Sequence, residues 1–146
     1  MNRSNVILLV EDNCDDVEIT LRAFRKTNVL SEIVVVRDGV EALDYMFAAG
    51  AHAGRRTKPH PDVILLDLNL PKVGGLEVLR RLRGEERTRR VPIVMLTSSN
   101  EEKDILSSYD LGASSFVRKP VDFTEFMEVA RRLGQYWLMI NESPPS

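Results

Sequence analysis

The chain has 146 residues, of which 43% are apolar and 29% charged, which suits one globular domain and excludes a disordered or fibrous chain. Its 20 basic and 22 acidic residues leave a net charge of −2, without the basic excess expected of a nucleic-acid binder. The single cysteine, Cys14, excludes an intramolecular disulfide and fits a reducing, cytoplasmic setting, and no apolar run approaches the ~20 residues of a membrane span.

The N-terminal Met1-Asn2-Arg3-Ser4-Asn5 leads straight into a strand and is not a signal peptide. Four apolar runs follow along the chain: Val6-Ile7-Leu8-Leu9-Val10, Ile33-Val34-Val35-Val36, Val63-Ile64-Leu65-Leu66 and Val91-Pro92-Ile93-Val94-Met95-Leu96. They do not alternate apolar with polar, so they read as strands buried on both faces of a parallel sheet. A weaker fifth run is Ser115-Phe116-Val117-Arg118.

Between and after these runs, apolar residues recur at helical spacing. The stripes are Val17, Thr20, Leu21 and Phe24; Ala42, Leu43, Met46 and Phe47; Val78, Leu79 and Leu82; Ile105, Leu106 and Tyr109; and Phe123, Phe126, Met127, Ala130, Leu133, Trp137 and Ile140. Asp38, Asn100 and Asp122 stand where helix N-caps are expected, and Glu125 completes a capping-box spacing with Asp122. Strand and helix alternate five times. That predicts an α/β fold, a doubly wound five-stranded parallel sheet with helices on both faces. Residues 1–146 read as one domain with a core over about 6–140, a long basic loop at 49–61 and a polar tail at 141–146. No second periodic region follows, so no output domain is expected.

Open α/β sheets bind ligands beyond the carboxyl ends of their strands. Glu11 and Asp12 follow the first strand, Asp67 and Asn69 the third, Thr97 and Ser98 the fourth, and Lys119 the fifth. Converging carboxylates repel one another, and a divalent cation and Lys119 are the natural compensation. An all-oxygen set suits Mg²⁺. With the Thr97 hydroxyl and the Lys119 ammonium it makes a site for a phosphoryl group carried on one carboxylate.

Several bland readings apply elsewhere. Cys14 has no flanking base, and His52 and His60 lack further ligands for a transition metal. Arg55, Arg56 and the run 87–90 read as solvated faces. Gly74-Gly75 lacks the Lys-Ser/Thr of a phosphate loop and reads as a tight turn near the acids.

The motifs Val10-Glu11-Asp12, Leu65-Leu66-Asp67-Leu68-Asn69-Leu70-Pro71, Gly74-Gly75, Leu96-Thr97-Ser98, Gly112-Ala113 and Lys119-Pro120 resemble, in order and placement, a two-component response-regulator receiver domain of flavodoxin-like fold. The resemblance spans nearly the whole chain. It implies Asp67 as phosphoacceptor and Thr97 and Lys119 as the residues that contact the phosphoryl group. It implies Mg²⁺ held by Asp12, Asp67 and the backbone carbonyl of Asn69, assisted by Glu11. Phe116 takes the switch-aromatic position. Two residues depart from the common pattern: Glu11 stands where many members have Asp, and Phe116 where many have Tyr.

The loop before Pro61-Asp62, the Leu68-Asn69-Leu70-Pro71 turn, the Ser108-Tyr109-Asp110-Leu111 stretch and Tyr136-Trp137-Leu138 resemble the cyanobacterial phytochrome response regulators. That implies a sensor histidine kinase of phytochrome type as partner, with an unknown downstream protein and neither nucleic acid nor membrane. The alternative reading is a Mg²⁺-dependent aspartyl-phosphate phosphatase or phosphotransferase. Its usual second aspartate would fall at position 69, which is Asn. A flavodoxin-like electron carrier would need a Ser/Thr/Gly-rich loop where Glu11-Asp12-Asn13 stands.

The final helix is unusually apolar. Trp137 and Ile140 continue its inward stripe, which leaves Tyr136, Leu138 or Met139 facing outward. A homodimer through this region is expected.

Overall fold

The computed structural model describes residues 5–26, 31–56 and 58–145. The lead-in over residues 1–4 and the last tail residue, Ser146, lie outside the described residues. The elements alternate as β1 (Val6–Val10), α1 (Cys14–Arg25), β2 (Glu32–Val36), α2 (Gly39–Phe47), β3 (Val63–Leu66), α3 (Gly75–Gly84), β4 (Ile93–Thr97), α4 (Glu102–Asp110), β5 (Ser115–Arg118) and α5 (Phe123–Gln135). A short 3₁₀ helix (Gly50–Arg55) precedes β3, and a π-helical turn (Tyr136–Ile140) extends α5.

The strands form one parallel sheet in the order β2-β1-β3-β4-β5. β1 and β3 pair in the register Val10↔Leu66, and β1 and β2 in the register Val10↔Val36. The chain leaves β1 for the edge strand on one side and returns to β3 on the other. The β1/β3 boundary is therefore the switch point, where a crevice opens beyond the strand ends.

Successive strand residues point to opposite faces, and the core divides accordingly. Leu8, Val10, Ile64, Leu66, Ile93 and Met95 pack with Ala42 and Met46 of α2 and with Val78, Leu79 and Leu82 of α3. On the other face Ile7, Leu9, Val63, Leu65, Val94 and Leu96 pack with Val17 and Phe24 of α1 and with Leu138. Helices α1 and α5 meet at Gly134, where a Cβ would stand 2.6 Å from the Phe24 ring.

Several sequence expectations are corrected. β2 is an edge strand and its residues are mostly half-buried, not buried on both faces. The Ile105, Leu106 and Tyr109 stripe does not face the core: Leu106 and Tyr109 are exposed. The buried residue of α4 is Ser108, whose hydroxyl is satisfied by the carbonyl of Asp104 (2.7 Å). Asn100 is not the α4 N-cap. Glu101 takes that position without a side-chain cap, and Ser99 serves the first turn by accepting from the Glu101 N–H (3.4 Å) and donating to Asp104 (2.5 Å). Asp38 and Asp122 do cap α2 and α5.

The long loop holds the 3₁₀ helix, and Arg55 is half-buried and held by partners, not a freely solvated charge. Its guanidinium lies 3.5 Å from the centre of the Tyr45 ring and donates to the carbonyls of Tyr45 (3.1 Å) and Pro59 (3.3 Å).

At the end of the chain Leu138 is only 5% exposed, whereas Ile140 is 67% exposed, the reverse of the expected faces. The cause is the π-helical turn, closed by the Asn141 N–H on the Tyr136 carbonyl (2.7 Å). Bonds to the fifth residue back widen the turn and shift the stripe that a 3.6-residue period would give. Tyr136, Met139 and Ile140 form the outward set.

The amino ends of β4 and β5 are tied together by one side chain. Arg83, at the end of α3, donates to the carbonyls of Gly112 (2.8 Å), Arg89 (3.0 Å) and Val91 (2.7 Å). Burial lowers the pKa of its guanidinium.

Candidate functional site: an acidic crevice around one lysine

Each strand that feeds the site is prolonged by one further backbone bond. The Glu11 N–H donates to Val36 (3.0 Å), the Asp67 N–H to Val10 (3.2 Å) and the Lys119 N–H to Thr97 (2.7 Å). The sheet thus fixes the backbone of three side chains that would otherwise lie on loops. Behind Asp67, α3 begins with Gly75. A Cβ there would lie 2.1 Å from the Asp67 carbonyl oxygen, so only glycine lets the helix approach this closely.

The Lys119 ammonium is buried and meets three carboxylates. It donates to Glu11, to Asp16 at 2.8 Å and to Asp67 at 3.0 Å. Burial works against its charge, but the hydrogen bonds it donates to Asp16 and Glu11 and the charge of Asp67 outweigh it and raise its pKa. Burial pushes the Glu11 carboxyl up to about 7. The Lys119 hydrogen bond opposes that rise and repulsion from Asp67 adds to it. Glu11 also accepts from the Asn13 N–H (3.1 Å), and Asp67 accepts from the Asn69 N–H (3.4 Å).

Glu11, Asp12 and Asp67 each offer an oxygen within 4.8 Å of the others, with Glu11 and Asp67 buried and Asp12 exposed. Three hard oxygen donors with one open side fit a divalent cation that keeps part of its water shell. Such an ion would supply charge neutralisation where a second anion must approach.

Residues 7–131 match the family model described as response regulator receiver domain. The chain is 32% identical over 137 residues to response regulator Rcp1 of Synechocystis sp., covering 94% of this chain and 91% of that protein. The Mn(2+)-bound structure of Rcp1 superposes with a TM-score of 0.89 at 31% identity, over 96% of this chain and 99% of the other. The phosphorylated cyanobacterial phytochrome response regulator RcpA gives a TM-score of 0.89 at 36% identity, over 96% and 98% of the two chains. The bacteriophytochrome response regulator AtBRR is 50% identical, over 94% and 97% of the chains, with a TM-score of 0.73.

The chain belongs to the response regulator receiver domain family.

In this receiver domain the residues singled out from sequence fall in two groups. Glu11, Asp12, Asp67 and Lys119 come together at the β1/β3 boundary. Thr97 is fully buried at the end of β4, and its hydroxyl oxygen accepts from the Ser99 N–H (3.4 Å). Asn69 is exposed just beyond Asp67. Phe116 lies opposite Met95 on the edge strand β5, half-buried against the core. Its N–H donates to the Tyr109 hydroxyl of α4 (3.2 Å).

Sequence reasoning missed Asp16. A signal existed: Asn13 caps α1 by accepting the Asp16 N–H (3.0 Å), so Asp16 lies in the first helical turn. Helical side chains tilt toward the N-terminus, which here is the strand-end crevice.

Proposed function

We propose that this receiver domain accepts a phosphoryl group on Asp67 from the phosphohistidine of a sensor histidine kinase, one of phytochrome type. The observation that carries the reading is the Asp67 carboxylate, buried yet 3.0 Å from the Lys119 ammonium and grouped with Glu11 and Asp12. An Asp67 carboxylate oxygen forms the bond to phosphorus as the phosphorus–nitrogen bond breaks, and the histidine nitrogen leaves with the electron pair and takes a proton. The transferring group passes through a loose, in-line arrangement, so positioning and charge matter most. Lys119 supplies a fixed positive charge, the Thr97 hydroxyl a donor, and Mg²⁺ would be held by Glu11, Asp12, Asp67 and the Asn69 carbonyl. Water attack on the same acyl phosphate ends the signal, and no other turnover is assigned.

The Thr97 hydroxyl turns toward the new phosphoryl oxygens, and the Phe116 ring moves into the space that it vacates. The surface over α4, β5 and α5 is the readout for a downstream protein in the cytoplasm. The phytochrome link is supported by likeness to RcpA and AtBRR over nearly the whole of each chain. A second copy of the chain is the partner that suits the outward Tyr136, Met139 and Ile140, three large apolar side chains on one turn.

Acetyl phosphate and Mg²⁺ should add one phosphoryl group to the wild type and none to Asp67→Asn, as read by intact-protein mass spectrometry. Equal labelling of the two overturns the assignment, and undiminished labelling in EDTA overturns the metal requirement. Light scattering on Met139→Asp with Ile140→Asp tests the dimer. A monomeric wild type at high micromolar concentration refutes it. Leu138 is unsuited to that test because it is core.

A further inference from the structure

An ammonium has three N–H donors, and in Lys119 all three are taken, by Glu11, Asp16 and Asp67. Two of those acceptors have further duties. Glu11 and Asp67 belong to the oxygen cluster that fits a cation. Asp16 does not belong to it, and its side chain bonds only to Lys119 among the contacts of the described residues.

The placement of Asp16 is built into α1. Its N–H donates to the capping Asn13 side chain (3.0 Å), and its carbonyl accepts from the Thr20 hydroxyl (2.8 Å). Thr20 is itself fully buried. The carboxylate is thus carried by a fixed backbone and cannot follow the ammonium far.

Counting Asp12, which joins Glu11 and Asp67 in the oxygen cluster, the crevice holds four carboxylates and one ammonium. A divalent cation would offset two of the three excess charges, and a phosphoryl group on Asp67 would restore one. The receiver domain therefore keeps one more negative charge than metal and lysine can neutralise before phosphorylation and two more after it, and the carboxylate of Asp16 stands outside the oxygen cluster that would hold the metal.

We propose that Asp16 is a positioning residue that holds the Lys119 ammonium back from Asp67, so that the lysine is shared between α1 and the phosphoryl group and never fully committed to the latter. This rests on the reading of Asp67 as the phosphoacceptor. Asp16 acts through Lys119 as a restraint, and the unphosphorylated state is favoured by it. A ligand shifts the balance between two states only by its difference in affinity, so loosening the restraint must show as tighter binding of a phosphoryl analogue.

The probe is beryllofluoride, titrated at saturating Mg²⁺ into the wild type, Asp16→Asn, Asp16→Glu and Asp15→Asn. Asp16→Asn keeps the shape and removes the charge. Its affinity is expected to rise about tenfold, the scale of one charge-assisted hydrogen bond released. Asp16→Glu should return most of the wild-type affinity. Asp15→Asn removes a neighbouring exposed charge that has no contact with Lys119 and should change affinity less than about twofold. The ¹⁵N resonance of the Lys119 ammonium should move further on beryllofluoride addition in Asp16→Asn than in the wild type.

Equal or weaker binding by Asp16→Asn overturns the proposal, as does an equal gain in Asp15→Asn, which would mark a general field effect. An unmoved Lys119 resonance also overturns it, and that measurement holds even if the variant is less stable. A wild type that binds no beryllofluoride defeats the phosphoacceptor reading itself. Binding by the wild type without a gain in Asp16→Asn defeats only the role of Asp16.

Discussion

At the carboxyl end of the sheet the Lys119 ammonium faces Glu11, Asp16 and Asp67. At the amino end the Arg83 guanidinium faces the carbonyls of Gly112, Arg89 and Val91. Both cations bridge segments far apart in sequence, and both are partly withdrawn from water. Their surroundings drive them in opposite directions: Lys119 has its pKa raised and Arg83 has it lowered. The carbonyls are neutral and bonded to the chain, so nothing short of unfolding changes what Arg83 meets. The carboxylates can gain a proton, a metal or a phosphoryl group, and each changes what Lys119 meets. A buried cation among carbonyls is a tie, and the same charge among carboxylates can respond to ligands.

Removing each cation tests this contrast, and Lys119 should matter more. Lys119→Met leaves Glu11 and Asp67 buried beside Asp16 without their partner. Phosphoryl acceptance from acetyl phosphate should fall roughly 10²–10³-fold, the effect of losing one preorganised charge at a reacting centre. Without metal at pH 8, stability should fall by about 3–5 kcal/mol, and Mg²⁺ should restore part of it. Urea unfolding with and without EDTA reads the second effect. A variant as stable as the wild type in both media would erase the distinction.

The wild type carries the same asymmetry in its pH dependence. The folded Glu11 carboxyl titrates at about 7, above its ordinary 4.5. The folded state therefore holds a proton that the unfolded chain has already lost. The contribution is present in full below pH 4.5 and is lost as pH rises through about 7, amounting to at most ~3 kcal/mol. Denaturation in EDTA at pH 5 and pH 8 should show the loss, and Glu11→Gln should flatten it. Mg²⁺ affinity should rise over the same window, because the protonated carboxyl is a poor ligand.

Arg83→Met is the counterpart at the other end. Three carbonyls lose a charged donor, at about 2–3 kcal/mol. That loss should be the same at pH 5 and pH 8, with or without Mg²⁺, and phosphoryl acceptance per folded molecule should be unchanged. A loss that varies with Mg²⁺ would couple the two ends. The smallest effect belongs to Tyr109→Phe, which deletes only the hydroxyl over the Phe116 N–H. It should cost about 0.5–1 kcal/mol and speed exchange of that one amide.

The carboxyl end was far more legible in the sequence than the amino end. β1, β3 and β5 begin and end where their apolar runs do, and Glu11, Asp12, Asp67 and Lys119 follow from one rule about strand ends. Asp16 escaped because its partner lies 103 residues away and becomes a neighbour only after α1 has packed. Arg55 looked like solvated charge and Arg83 was not singled out at all, since nothing in a stretch of basic residues says which one finds carbonyls or a tyrosine ring. Tyr136 and Met139 face outward as expected, but Leu138 and Ile140 exchange places, because an α-helical step was assumed through a π-helical turn. In α4 three apolar residues suggested a buried face, yet Ser108 fills it, because a hydroxyl bonded to its own helix can enter a core that a larger side chain would overfill.

The tyrosine over β5 has one more consequence. β5 is an edge strand, and an edge strand offers its outward amides and carbonyls to any extended chain that passes. The Tyr109 hydroxyl occupies the Phe116 N–H, in the middle of a strand only four residues long. An intruding strand would have to displace a side chain anchored in a helix before it could bond at the Phe116 amide. The same phenol therefore protects the folded chain from joining its neighbours in a crowded solution, and Tyr109→Phe should precipitate sooner than the wild type when both are concentrated.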